Sequence, residues 1–463
     1  MSDPIHFGTD GWRAKIADTF TFPNVRRAAF GLGRSLRPQK GAKVLVGFDG
    51  RFNSDLFARE AARTLARLGH RVLLSDRILP TPALSLAVRD QRADAGVMIT
   101  ASHNSGAYNG FKVKVWPGVS APEAFTRAVE KNIPAHVPEP PPAELPAADW
   151  LSPYLKKIGA LVDLRAIRKA GLKVVFDSMH GVGERHFESL VAGGKTKVTT
   201  VAGERDVFFG GRQPEPIGPQ LAPLTKAIRR ARADLGFATD GDGDRVGVMD
   251  GKGRYVHVHR LHGILLYHLW VNRGMRGAVV KTVSGTRMLS RMARAWDIPL
   301  YETPIGFKYI GEIMLREDVL LGVEESGGIA VKGHLAERDG LFSALLILEA
   351  LVAMKKSVGE AVDFVQKCFG PYFSDRLDLE NVPAADQARI LARLKKAPPL
   401  SVAGEKITGV QALDGVRFDL KDGWVMARAS GTEPLLRLYA ESPSAAKTGA
   451  LLGAIRREAL KSL

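Results

Sequence analysis

The sequence predicts a multidomain α/β protein that ends in a smaller α+β domain. Three observations predict it. An apolar strand, a loop and a helix-like pattern recur in that order from "KVLVGFDGR" (43–51), "KVVFDSMHGVG" (173–183) and "GAVVKTVSGT" (277–286). Strands alternating with helical patterns imply βαβ units and mixed or parallel sheets. A proline-rich run, "IPAHVPEPPPAELPAAD" (133–149), separates the first unit from the second, since proline lacks the N–H that regular structure needs. From about residue 370 the pattern changes. Short strands ("GVRFDL", "GWVMARAS", "LLRLYAE") lead to a terminal helix, "SAAKTGALLGAIRREALKSL".

The bulk properties fit this outline. The chain has 463 residues, room for roughly three or four domains of about 100–150 residues. Hydrophobic residues make up 45% and charged residues 25%, enough apolar material for a sizeable core. Cys368 is the single cysteine, which excludes a disulfide framework and cysteine-based metal sites and suits a reducing compartment. "MSDPIHFGTDGW" shows no basic and apolar leader pattern, and "GILLYHLWV" falls short of the ~20 residues of a membrane span. The expectation is a cytoplasmic protein with no membrane partner. The net charge is +17, but the basic residues are scattered in doublets such as Arg26-Arg27, Lys156-Lys157 and Arg229-Arg230, and aromatics are only 7%. A nucleic-acid binder would gather them in one stripe; scattered as they are, they suit a positive field for anionic substrates, with no nucleic-acid partner expected.

In chain order, "HFGTDGWRAK" places Arg13 after a glycine turn. In "AGVMITASHNSGAYNGFKVKV" (95–115) an apolar strand ends in Ser102 and His103, and an alternating strand carries Lys112. Asn109-Gly110 reads as the tight turn before that second strand. Ser102 lies in no G-x-S-x-G elbow, so an acyl-transfer triad is not expected.

"GFATDGDGDRVGVMD" alternates Asp240, Asp242 and Asp244 with glycines between two strands. Residues two apart in extended chain face the same way, so three carboxylates can converge on one cation, and all-oxygen donors select Mg²⁺ or Ca²⁺ over zinc. An EF-hand fails on Arg245 at its sixth position and Gly251 at its twelfth. A solvated acidic turn is the other reading. "TPIGFKYIGE" sets Lys308 after a glycine, and "LLGVEESGGIA" sets Glu324, Glu325 and Ser326 in a glycine loop suited to sugar hydroxyls or to a plain surface turn. "VMARASGTEPLLRLYAE" offers Arg428, Ser430, Gly431 and Thr432 as a phosphate cradle by composition, or a simple turn. Taken together, these loops supply the parts of a phosphoryl-transfer enzyme acting on a sugar phosphate.

"TASHN", "DGDGDR", "EESGG" and "RASGTEP", in this order, resemble the α-D-phosphohexomutase superfamily, which includes phosphoglucomutases and phosphomannomutases. The resemblance spans the whole chain with one motif per domain. It implies four domains in a heart shape, three of mixed α/β type and a fourth, α+β, related to the TATA-binding-protein fold. The expected divisions are 1–148, 149–254, 255–368 and 369–463.

The resemblance implies that Ser102 is carried as a phosphoserine whose phosphate completes the coordination of a Mg²⁺ held by Asp240, Asp242 and Asp244. It implies a bisphosphorylated intermediate, with glucose 1,6-bisphosphate as activator. Lys112 and His103 become candidates for proton transfer and charge stabilisation, and Arg13 and Arg245 for phosphoryl contact. Glu324 and Ser326 would hold sugar hydroxyls, Lys308 and His334 are candidate substrate contacts, and residues 428–432 would hold the non-reacting phosphate.

Two departures stand out. Ser105 replaces the proline that usually follows "TASHN", and Gly328 stands where dual-specificity phosphomannomutases carry histidine. Glucosamine mutases tend to carry glutamine where Glu325 stands. The expected activity is interconversion of glucose 1-phosphate and glucose 6-phosphate by a monomer or weak homodimer. The alternatives are a phosphomannomutase or dual-specificity mutase, then a phosphoglucosamine mutase or a glucose 1,6-bisphosphate synthase.

Overall fold

The computed structural model describes residues 5–36, 41–429 and 435–461. Four sheets follow one another along the chain. In the first, Lys43–Phe48 runs parallel to Arg71–Ser75 and to Ala95–Ile99. Tyr108–Val115 then pairs antiparallel with Ala95–Ile99, and Trp12–Lys15 closes that edge. The second sheet repeats this plan. Lys173–Asp177 is parallel to Leu235–Thr239, which pairs antiparallel with Val246–Asp250, and the short strand Tyr255–Val256 lies beyond. The third follows suit, with Ala278–Thr282 parallel to Val319–Val323 and Ile329–Val331 antiparallel beside it. The fourth sheet has six strands in antiparallel ladders, with the helices Ala384–Lys396 and Ala445–Leu460 packed on it.

This repetition positions the chemistry. The Ser102 loop, the 240–245 loop and the 324–328 loop each join the antiparallel pair at the same point of three similar sheets. Strand interiors there are apolar on both faces because helices cover both sides, so polar residues collect in the connecting loops.

One apolar cluster runs unbroken through the first three sheets, from Leu45 and Met98 through Phe176 and Phe237 to Leu320 and Leu346. At its centre lies the helix Gly340–Met354, apolar on every side and buried over its first twelve residues. Asp339 caps it by accepting from Phe342 N. The fourth sheet keeps a cluster of its own around Phe418, Leu438 and Ile455. Among the described residues, no helix is long and apolar enough to cross a membrane.

Local expectations needed three corrections. Asn109 and Gly110 are not a turn: they lie inside the strand Tyr108–Val115, and Thr100 O and Trp12 O crowd Gly110 too closely for any side chain. Ala147–Ala148, at the end of the proline-rich run, adds a short parallel edge to the first sheet. The C-terminal domain holds strands absent from the sequence reading, Phe373–Leu379 and Glu405–Gln411, whose mixed polarity hid them.

Candidate active site

Ser102 sits at the junction of the first two sheets. Its φ is +52°, in the left-handed region that a non-glycine residue occupies only when its surroundings impose it. Its side chain is buried, and Oγ donates to Asp240 Oδ2 at 2.9 Å. His103 Nδ1 lies 3.4 Å from the same oxygen. Arg13 reaches the loop from the first strand, where Nη1 donates to Asn104 Oδ1 at 2.8 Å.

The acidic loop is held by backbone bonds from three sides. Thr81 N donates to Asp242 O, Val182 N to Gly241 O, and Gly340 N to Gly243 O. Asp240 Oδ1 accepts from the backbone N–H groups of Asp244 and Arg245. Asp242 Oδ2 accepts from Thr81 Oγ1 and from Lys112 Nζ. Asp240, Asp242 and Asp244 each offer one carboxylate oxygen, and these three lie within 4.8 Å of one another.

Two of the carboxylate oxygens, Asp242 Oδ1 and Asp244 Oδ1, are buried with no hydrogen-bond partner. A buried oxygen without a donor is costly, and hard oxygen ligands clustered this tightly are what a Mg²⁺-type cation demands. Burial and the neighbouring charges of Asp244 and Asp242 push the Asp240 carboxyl well above its usual range. A cation would relieve that repulsion. The residues present fit a divalent metal and do not fit a solvated turn.

Charge compensation comes from cations drawn from all three α/β units. Lys112 Nζ contacts Asp10 at 2.7 Å, Asp242 at 2.7 Å and Asp244 at 3.2 Å. Burial works against its charge, but the three carboxylates outweigh it and hold the ammonium protonated. Arg245 lies 4.0 Å from Asp240 and 3.8 Å from Asp244. Arg338 Nη2 pairs with Asp10 at 2.7 Å and Asp244 at 2.9 Å, while Nη1 pairs with Glu324 at 3.1 Å. Burial, then Arg245, Arg13, Lys112 and Arg51, hold His103 well below the usual imidazole range, so it is neutral near pH 7.

The other candidates divide. Glu324 accepts from Ser326 Oγ at 2.5 Å, and the bond to Arg338 ties this loop to the acidic loop. Lys308 lies in the first turn of the helix Phe307–Met314 and pairs with Glu123 at 3.3 Å, making no contact with the carboxylate cluster. His334 is not brought to the cluster: its ring is buried on Asp339 and against Phe342. Arg428 is held by Asp414, which also accepts from Ile305 N of the third unit. Ser430, Gly431 and Thr432 lie outside the described residues.

Asp10, Thr81 and Arg338 were missed in the sequence. Asp10 and Arg338 each stand within a few residues of a position that was singled out, Asp10 beside Arg13 and Arg338 in "AERDG" beside His334. The signal was a charged residue near glycine, too common in turns to mark a site. Thr81, in "LPTPAL", carried no signal at all.

Comparison with known proteins places these features in one family. Models of the phosphoglucomutase/phosphomannomutase α/β/α domains I, II and III match residues 4–137, 152–253 and 259–368. The model of the C-terminal domain matches 379–458. A phosphoglucosamine mutase of Halorhodospira halophila is 31% identical over 453 residues, covering 94% of this chain and 92% of its own. A phosphoglucomutase/phosphomannomutase of Thermococcus kodakarensis is 28% identical, covering 95% of each. A crystal structure from Thermus thermophilus, described as a putative phosphomannomutase, superposes with a TM-score of 0.88 at 34% identity over 99% of both chains. With four domain models matched in order and whole-chain relatives in hand, the chain belongs to the phosphoglucomutase/phosphomannomutase family of phosphohexomutases, isomerases that move a phosphoryl group within a sugar phosphate.

Proposed function

We propose that this protein interconverts glucose 1-phosphate and glucose 6-phosphate, with Ser102 as the phosphoryl carrier and a bisphosphorylated sugar as intermediate. The observation that carries the reading is Ser102 Oγ, buried in a left-handed backbone turn and 2.9 Å from a three-carboxylate loop that has unpartnered oxygens. Asp240, Asp242 and Asp244, with an oxygen on Ser102, would hold Mg²⁺, which when bound neutralises phosphoryl charge.

In the transfer, the bond between phosphorus and Ser102 Oγ breaks as one forms to a sugar hydroxyl oxygen. The hydroxyl proton ends on Ser102 Oγ. His103, neutral and 3.4 Å from that oxygen, is the group that relays it. Lys112, held protonated among three carboxylates, stabilises charge and is a poor base. Arg13 and Arg245 orient phosphoryl oxygens. Glu324 and Ser326 read sugar hydroxyls, Lys308 contributes at the rim, and the cradle from Arg428 to Thr432 takes the non-reacting phosphate. His334 supports the site only through Asp339, the cap of the central helix.

The preference for glucose rests on Gly328. A Cβ there would lie 2.4 Å from Arg338 Cδ and 2.9 Å from Glu324 Oε1, so the Arg338–Glu324 pair fills the space that a histidine would need. The test is a coupled assay over glucose, mannose and glucosamine 1-phosphates, with trace glucose 1,6-bisphosphate as activator. Dominance of the mannose or aminosugar substrate would overturn the glucose reading.

A further inference from the structure

Arg51 closes the strand segment "KVLVGFDGR" but was given no functional role in the sequence, and at 0% exposure no described side chain is more deeply buried. It follows the strand Lys43–Phe48 in an Asp-Gly-Arg turn. A guanidinium has five N–H donors in a rigid fork, and here all five are used. Nε donates to Asp49 Oδ2 at 3.0 Å. Nη1 donates to Ser105 O at 2.7 Å and Tyr108 O at 3.1 Å. Nη2 donates to Ser102 O at 2.6 Å and Asn104 O at 2.7 Å. Three carbonyls of the Ser102 loop and the first of the strand that follows it therefore converge on one buried cation.

The clamp is itself held. Asp49 Oδ1 accepts from Arg51 N and from Ser54 Oγ, and Ser54 Oγ accepts from Asn109 Nδ2. From the second unit, Arg205 donates to Gly50 O at 2.8 Å and to Arg51 O at 3.2 Å, and the Phe209 ring lies 4.7 Å from the guanidinium. The same segment presses on the loop directly: a Cβ on Gly106 would come within 2.5 Å of Val207 O.

We infer that Arg51 is a positioning residue for phosphoryl transfer, fixing the Ser102 loop from inside so that Oγ is aimed at the acidic loop. With its carbonyl held on Arg51 and its Oγ donating to Asp240, Ser102 is fixed from both sides while its backbone stands in the left-handed region at φ +52°. The clamp also supplies the stiffness that a proline at Ser105 would otherwise give. Lysine cannot substitute, because three donors on one nitrogen cannot reach four carbonyls and a carboxylate. The inference rests on Ser102 being the phosphoryl carrier.

The test uses the full-length Arg51→Lys protein. Uptake of one phosphate at Ser102 from glucose 1,6-bisphosphate is followed by intact mass, beside kcat, KM and Mg²⁺ affinity by calorimetry. Ångström-scale misplacement of a reacting group costs on the order of 100-fold, so the uptake rate and kcat should each fall about that much. KM and Mg²⁺ affinity should stay within about threefold, the pattern of an interaction felt only in the transfer step. Unchanged uptake, or a matching loss of KM and Mg²⁺ affinity, overturns the inference. If Arg51→Lys does not fold, Phe209→Leu keeps all five bonds and removes only the ring beneath them; uptake should then fall by about three- to tenfold, and no change overturns the inference. A wild-type protein that takes up no phosphate at Ser102 sinks the proposed function first, and this inference with it.

Discussion

The Ser102 loop and the 324–328 loop occupy the same place in similar sheets, and each carries a serine hydroxyl bonded to a carboxylate. They are held by different means. The Ser102 loop is gripped through its backbone, with three of its carbonyls and the first of the next strand on Arg51 and the serine itself buried. The 324–328 loop is held mainly through side chains, Glu324 by Arg338 and Glu325 by the hydroxyls of Thr282 and Ser284, with one backbone bond from Val246 N to Gly327 O, while Glu325 and Ser326 remain partly exposed. Backbone fixation leaves the side chain free for chemistry without loss of aim. Side-chain fixation lets a loop exchange partners, which suits a surface that must accept a sugar.

Substitutions should separate the two loops, beginning with the largest effect. Ser102→Ala should lower mutase activity by several orders of magnitude and remove any phosphate seen by intact mass, since no other group divides the transfer into two steps. Near-normal activity in that variant would break the comparison outright. Thorough chelation should abolish activity and added Mg²⁺ restore it, while Asp242→Asn should weaken Mg²⁺ binding with the melting temperature little changed. Activity indifferent to chelation would make the acidic loop structural.

On the other loop, Glu324→Gln removes one of the charged partners of Arg338 and should lower kcat/KM by about 10–100-fold, with Ser102 phosphorylation retained. Loss of phosphorylation there would show that the two loops are one unit. Glucose 1-phosphate should exceed mannose 1-phosphate in kcat/KM by roughly ten- to a hundredfold, with glucosamine 1-phosphate poorer still. Equal rates would mean that Gly328 does not set the preference. Ser326→Ala should be the mildest change, raising KM by about tenfold or less with kcat nearly kept. A larger loss of kcat would move Ser326 into the transfer step.

The sequence announced Ser102 and the acidic loop because their signals are local. An apolar strand that stops at Ser102, and carboxylates alternating with glycines, need no distant partner to be noticed. It also announced the repeating units, since each carries its own strand and helix pattern. Lys112 was found on its alternating strand, but the pattern did not show that Lys112 and Lys114 are both buried. Lys114 finds Glu337 and Ser120, and nothing near it in sequence foretells that.

What the chain determined alone, then, was which segments become strands and which loops hold chemistry-bearing residues, because hydrophobic period and glycine placement act over a few residues. What only the tertiary structure decided was which charges meet. Arg338 and Asp10 are 328 positions apart, and Lys112 and Asp242 are 130 apart. Arg51 became a clamp only when the Ser102 loop folded back over it, 51 positions later. The reason is physical: a charge in a glycine turn is stable in water wherever it stands. Burial makes its partners obligatory, and burial is a property of the assembled domains.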